Sequence, residues 1–217
     1  MPKVGGTKDI NLKKIRALKP THVIVNKDEN RLEDAQALSE FVPNVVVTHP
    51  LTARDNLTLY KQFGEVFGEV EACSAKSEVL QQLLLAELEL CQIELQNSTN
   101  IKALYLIWRD PWITISSETY IADMLRQVGV QTVAPVPNNA LRYPTVSDHE
   151  AAALQPDLIL FSSEPYSFNE KHFADTAAWA AANVPRVMID GEMTSWYGSR
   201  AISGLRYLRE FKERLSK

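Results

Sequence analysis

Three short stretches concentrate side chains suited to holding a small molecule. The first is Trp108-Arg109-Asp110-Pro111-Trp112. The second holds Glu164, Tyr166 and Phe168, and the third Asp190, Glu192, Met193, Trp196 and Tyr197. Each follows a run that reads as a buried strand, and in open parallel sheets ligands bind outside the carboxyl ends of the strands. Aromatic rings offer flat apolar walls, while arginine and carboxylates add a few orienting contacts, the usual mix of a small-molecule site. Taken singly, each tryptophan reads equally well as a plug at the sheet edge. Taken together, the set favours a ligand cleft. A second reading makes Asp110, Glu164 and Glu192 acid/base groups around Arg109 in a small-molecule enzyme. That reading requires a carboxylate with a raised pKa beside its partner.

Other catalytic signatures are absent from the 217 residues. Val4-Gly5-Gly6-Thr7 is too short for a dinucleotide loop. There is no P-loop, no Gly-x-Ser-x-Gly elbow, no Cys-x-x-Cys and no His-x-x-x-His pair, so no metal site is expected. His22, at a strand start, and His172, on a helix, read as structural; His149, beside Asp148 and Glu150, reads as a solvated helix start, with metal ligation as its alternative. His49 closes a strand on the cleft side and is the one histidine placed for ligand contact. The net charge of −4 is carried by interspersed residues, which gives no basic footprint for nucleic acid.

The elements that position these residues follow from periodicity. Residues 73–95 form a long apolar run in which Leu80, Leu84, Leu88, Cys91 and Leu95 share one helical face. Leu83, Leu85, Leu90 and Ile93 widen that stripe, which predicts a helix covered on more than one side and about 35 Å long. Glu87, Glu89 and Gln92 interrupt the run before it reaches the roughly 18 residues of a membrane span. Cys73 and Cys91 would lie about 27 Å apart on this helix, beyond disulfide reach.

A faint repeat flanks the helix. Ala17-Leu18-Lys19-Pro20-Thr21-His22-Val23-Ile24-Val25 and Ala153-Leu154-Gln155-Pro156-Asp157-Leu158-Ile159-Leu160-Phe161 each read as a helix end, a proline stop and a buried strand. In the first half, helices are expected over 11–19 (capped by Asp9 or Asn11), 32–41 and 52–67, with strands over 21–25 and 45–47. In the second, strands are expected over 101–107, 113–116, 157–161 and 186–189. Helices there cover 118–127, 147–154 (Ser147 and Glu150 at capping-box spacing), 170–182 and 199–215. Alternating strands and helices imply an α/β fold with parallel pairing. The organisation is an N-terminal lobe over 1–72, a connecting helix over 73–97 and a C-terminal lobe over 98–217. The first lobe is small enough to suggest that it is incomplete, or that its sheet edge pairs with another chain in self-association.

Val4-Gly5-Gly6-Thr7-Lys8, Ala17-Leu18-Lys19-Pro20 before a strand and the loop from Asn26 to Asn30 resemble the first lobe of the class III, helical-backbone periplasmic binding proteins. Leu106-Ile107-Trp108-Arg109-Asp110-Pro111-Trp112, Asp190-Gly191-Glu192 and Ser195-Trp196-Tyr197-Gly198-Ser199-Arg200 resemble its cobalamin- or iron-complex-binding subgroup. The resemblance implies two Rossmann-like lobes joined by one backbone helix, no catalysis and no covalent cofactor. It implies a corrinoid, haem or ferric siderophore ligand in the cleft between the lobes, delivered to the permease of an ABC importer. It implies a periplasmic location, although Met1-Pro2-Lys3-Val4-Gly5-Gly6-Thr7 lacks the apolar core of a secretory signal. Trp196 matches the aromatic that cobalamin binders set against the corrin face, with Trp108, Trp112 and Tyr166 as further contacts. Glu29 or Glu33 would dock the permease on the first lobe. On the second, Gly198 stands where the family places a glutamate. The family also carries a strand and loop ahead of the Val-Gly-Gly segment.

Overall fold

The computed structural model describes residues 2–70, 72–96, 99–135 and 141–215. By internal packing the chain divides into two compact units, Met1–His49 and Pro50–Lys217.

The first unit begins with a two-residue antiparallel ribbon, β1 (Gly5–Gly6) and β2 (Asp9–Ile10). Helix α1 (Leu12–Leu18) is capped by Asn11, whose Oδ1 accepts from Lys14 N–H at 3.0 Å, while Asp9 lies in β2. Strand β3 (His22–Asn26), helix α2 (Leu32–Ser39) and strand β4 (Asn44–Thr48) follow. β3 and β4 pair in parallel, His22 opposite Asn44. Ile15, Val25, Leu38 and Val42 form the small core.

The second unit contains α3 (Asp55–Val66), α4 (Cys73–Leu95), β5 (Ile101–Trp108), β6 (Ile113–Thr114), α5 (Tyr120–Arg126) and β7 (Val130–Thr132). It continues with α6 (Asp148–Ala153), β8 (Leu158–Ser162), a 3-10 helix (Glu170–Thr176), β9 (Arg186–Ile189), α7 (Gly191–Ser195) and α8 (Arg200–Leu215). β8 lies between β5 and β9, all parallel; β7 pairs parallel with the start of β5, and the short β6 antiparallel with its end. Successive strand residues face opposite sides. Ala103, Tyr105, Leu158 and Leu160 enter one core cluster with α4, α5 and α8, while Leu104, Leu106, Ile159 and Phe161 enter another with Phe168 and Trp179. Both faces are covered, which is why these strands read as unbroken apolar runs. The Ser147–Glu150 capping box is present, and helices α1 and α6 end alike, with Lys19 (φ 48°) and Gln155 (φ 46°) each in the left-handed region before a proline.

Two expectations fail. The helix expected over 170–182 is a 3-10 turn that stops at Thr176. Thr176 is fully buried, Trp179 enters the core, and the Arg186 guanidinium binds the carbonyls of Ala180, Ala181 and Val184 as well as Thr176 Oγ1. Those tertiary contacts outweigh alanine's helix propensity, which is a weak prior. On α4, Leu84, Leu88 and Cys91 are buried as expected, but Val79, Leu83, Leu85, Leu90 and Ile93 are exposed, so the helix is covered on one side only. Its covered side is held to α8 by Glu87, which accepts from Arg206 at 2.6 Å and Arg209 at 3.1 Å. Arg209 Nε also donates to Glu94 at 2.9 Å.

The two faces of α4 separate in a stability measurement. Leu84→Ala, at a position with no exposure, should cost about 2–5 kcal/mol in denaturant unfolding; Leu85→Ala, at an exposed one, should stay within about 0.5 kcal/mol. Cys91 is 1% exposed, and burial pushes its thiol up to about 12, so at pH 8 it stays in the unreactive thiol form. A thiol-reactive disulfide reagent should therefore leave Cys91 unmodified in the folded protein and titrate it once the chain is unfolded.

Candidate functional site

The carboxyl ends of β5, β8 and β9 are adjacent in the sheet, and each carries one of the three stretches. Beneath them Tyr105, fully buried in β5, donates to Ser162 Oγ at 3.1 Å and shares a 2.7 Å hydrogen bond with Thr194 of α7. Ser162 Oγ in turn donates to the Glu164 carbonyl at 2.6 Å. Asp190 caps α7, accepting from Met193 N–H at 3.2 Å. Gly191 opens that helix where a Cβ would lie 2.5 Å from Glu164 Cγ and 2.6 Å from Ser162 Oγ, so only glycine lets the two loops approach.

This approach brings Glu164 to Trp196. One carboxylate oxygen, Oε1, accepts from Trp196 Nε1 at 2.8 Å and from Ser195 Oγ at 3.0 Å. The Arg200 guanidinium lies 5.5 Å from the Trp196 ring centroid and is paired with Glu192 at 3.3 Å. Trp196 is held at its edge and still 48% exposed. At the end of β5, Trp108 is 40% exposed and meets Tyr166 edge-on at 5.5 Å. The geometry presents two restrained, exposed indoles, each with a face that a flat apolar molecule could stack on.

The other candidates have different places. Asp110, at φ 57°, turns the chain so that Trp112 folds back over Phe168 (6.2 Å, 16°), with its edge contacts to Phe161 and Trp179. Arg109 pairs with Asp175 at 3.0 Å and sits 5.7 Å from the Trp112 centroid. Tyr197 packs on Tyr120 at 6.3 Å, and Gly198 is pinned to α3 through Asn56 (2.6 Å) and Tyr60 (2.8 Å). In the first unit His49 Nε2 lies 3.3 Å from Asp28, Glu29 accepts from Thr7, and Glu33 is exposed in the first turn of α2. The enzyme reading needs Asp110, Glu164 and Glu192 gathered around Arg109. Instead Glu164 is committed to Trp196 and Ser195, and Glu192 to Arg200; Asp110 alone approaches Arg109, at 4.0 Å and largely exposed. Among the described residues no group of three or more His, Cys, Asp or Glu is placed to hold a metal ion.

Asp175 and Thr194 escape sequence reading. Asp175 lies in the stretch that reads as an alanine-rich helix, and Thr194 carries no pattern beyond its distance from the capping Asp190.

If Glu164 fixes the indole, Glu164→Ala should weaken the near-ultraviolet circular dichroism band that Trp196→Phe removes. Ser195→Ala should retain most of that band. The half-exposed hydrogen bond should contribute about 1 kcal/mol to stability, read from denaturant melts of the same variants.

Comparison with solved structures places the fold. The vitamin B12-binding protein BtuF of Vibrio cholerae superposes with a TM-score of 0.80 at 16% identity, over 99% of this chain and 82% of that one. The heme-binding protein HutB of Vibrio cholerae gives 0.77 at 18% identity, over 100% and 85%. An ABC transporter substrate-binding protein from Listeria monocytogenes EGD-e gives 0.72 at 15% identity, over 93% and 80%. Among curated proteins no sequence matches. Residues 1–187 match the family model described as periplasmic binding protein, and the chain belongs to that family of binding proteins rather than to an enzyme family.

Proposed function

We propose that this protein is the substrate-binding component of an ABC-type importer, acting in the periplasm on cobalamin or an iron complex such as haem or a ferric siderophore. The observation that carries the reading is Trp196, whose indole N–H is tied to Glu164 while 48% of the residue stays exposed. A ring fixed at its edge loses little further freedom when a planar ligand stacks on it, so more of the contact energy appears as affinity. Trp108, supported by Tyr166, supplies a second wall, and Trp112 and Tyr197 brace the loops from within. Arg109 and Glu192, both held in ion pairs, orient polar groups at the ligand's rim, and His49 is the contact we assign to the first unit. Membership of a family of binding proteins and the ligands named for the solved relatives, vitamin B12 and heme, support the ligand class.

We assign permease docking on the first unit to Glu29 or Glu33, both exposed. Gly198, at φ 73° with its N–H held by Asn56, suits glycine better than a docking side chain. Coupling on the second unit is therefore assigned to other residues.

A tryptophan-fluorescence titration with cobalamin, cobinamide, haemin and a ferric siderophore tests the reading. Saturable quenching by one of these classes is expected, with affinity lowered about tenfold or more in Trp196→Ala. Absence of saturable quenching by all four would overturn it. So would quenching that is identical in the variant.

A further inference from the structure

On the outer face of α4, Val79, Leu83, Ala86, Leu90 and Ile93 follow one another at steps of four, three, four and three, the a/d spacing of a coiled-coil seam. All five are exposed, the four large ones between 41% and 53%. Helix α4 thus carries a second apolar stripe, opposite the one that packs into its own core. A lone exposed leucine needs no explanation, but a continuous seam does.

We propose that this seam is a self-association surface on which α4 pairs antiparallel with α4 of a second copy. The charges beside the seam choose the direction. With the two helices centred between Leu84 and Leu85, Val79 lies level with Leu90 of the other copy and Leu83 with Ala86, a large side chain facing a small one. Lys76 then lies level with the other copy's Ile93, its stem against that side chain, and about 1.5 Å along the axis from Glu94, at both ends of the seam. Glu89 meets the neutral Gln82. A parallel pair would set Glu89 against Glu94, like charges flanking the same seam. Lys76 makes no ion pair with any described residue, and Glu94, held by Arg209, is exposed and has a second carboxylate oxygen to offer. From Val79 to Ile93 the seam runs only about 21 Å. That length puts the contact at the small end of stable interfaces, so dilution should separate the dimer.

Sedimentation velocity over a dilution series should show a monomer–dimer equilibrium for the wild-type chain. Leu83→Glu with Leu90→Glu should be monomeric throughout, with a melt that matches the wild-type melt at dilutions where the wild type is monomeric, and with an unchanged ligand titration. Lys76→Glu, a milder change, should weaken the dimer about tenfold by setting glutamate against Glu94 at both ends. Direction is read by disulfide trapping, with the wild-type chain under the same oxidation as control. A mixture of Val79→Cys and Leu90→Cys chains should cross-link to each other. Neither should cross-link to itself, because like positions in an antiparallel pair lie about 16 Å apart. A wild-type chain that is monomeric at all concentrations, a dimer untouched by the double glutamate variant, or self-cross-linking of Val79→Cys would each overturn the proposal.

Discussion

A phenol hydroxyl in the middle of a parallel sheet must find partners, because a polar group buried without them costs several kilocalories per mole. Tyr105 is such a group, and burial pushes its pKa up to about 12. Its partners are Ser162, at the end of the next strand, and Thr194, on the helix after the strand beyond. Satisfying one hydroxyl therefore fixes the β8 loop and α7 relative to β5. Glycine at 191 leaves room for that approach, where a Cβ would meet Glu164 and Ser162. Glu164 and Trp196 are downstream of this constraint: each sits on one of the two segments that Tyr105 ties together, so their 2.8 Å hydrogen bond follows from the buried network.

The polar residues around the site show a repeated arrangement. Trp196 has Arg200 near its face, and Arg200 is balanced by Glu192. Trp112 has Arg109 near its face, and Arg109 is balanced by Asp175. In each, a planar cation is held against an indole by a carboxylate. Such a unit fixes the ring and neutralises the local charge. The side chains here are spent on holding surfaces still.

Much of the fold was legible because its signals are local. Lys19-Pro20 and Gln155-Pro156 stop their helices wherever the rest of the chain goes, and Ser147 with Glu150 caps α6 through contacts three residues apart. The strands 101–108 and 158–162 were legible because both faces are covered at their centres, so 103–106 and 158–161 are continuous apolar runs. Residues 170–182 were not, since their conformation is set by Arg186 reaching back for carbonyl groups, a contact that no helix propensity anticipates. The small elements β1, β2, β7 and α7 are too short to carry a period. For the site, aromatic and charged residues after each strand could be named from sequence. Which of them face solvent and which brace the core depends on the turn at Asp110 and on the pinning of Gly198, both tertiary matters.

Helix α4 shows most plainly what a periodic pattern can and cannot say. Its 23 residues carry two apolar stripes at the same three-and-four spacing. Leu84, Leu88 and Cys91 make one, Leu83, Leu90 and Ile93 another, and a helical wheel counts both as faces to be covered. Only the flanking charges tell them apart. Glu87, beside the inner stripe, would be costly to bury alone, and two arginines of α8 meet it there. The inner stripe was therefore bound to another helix of the same chain. The outer stripe runs instead beside Lys76 at one end and Glu89 and Glu94 at the other, a polarity that a helix reversed end for end would complement. Apolar spacing fixes how many faces a helix has to satisfy, and the charges along their edges specify what each face is built to meet.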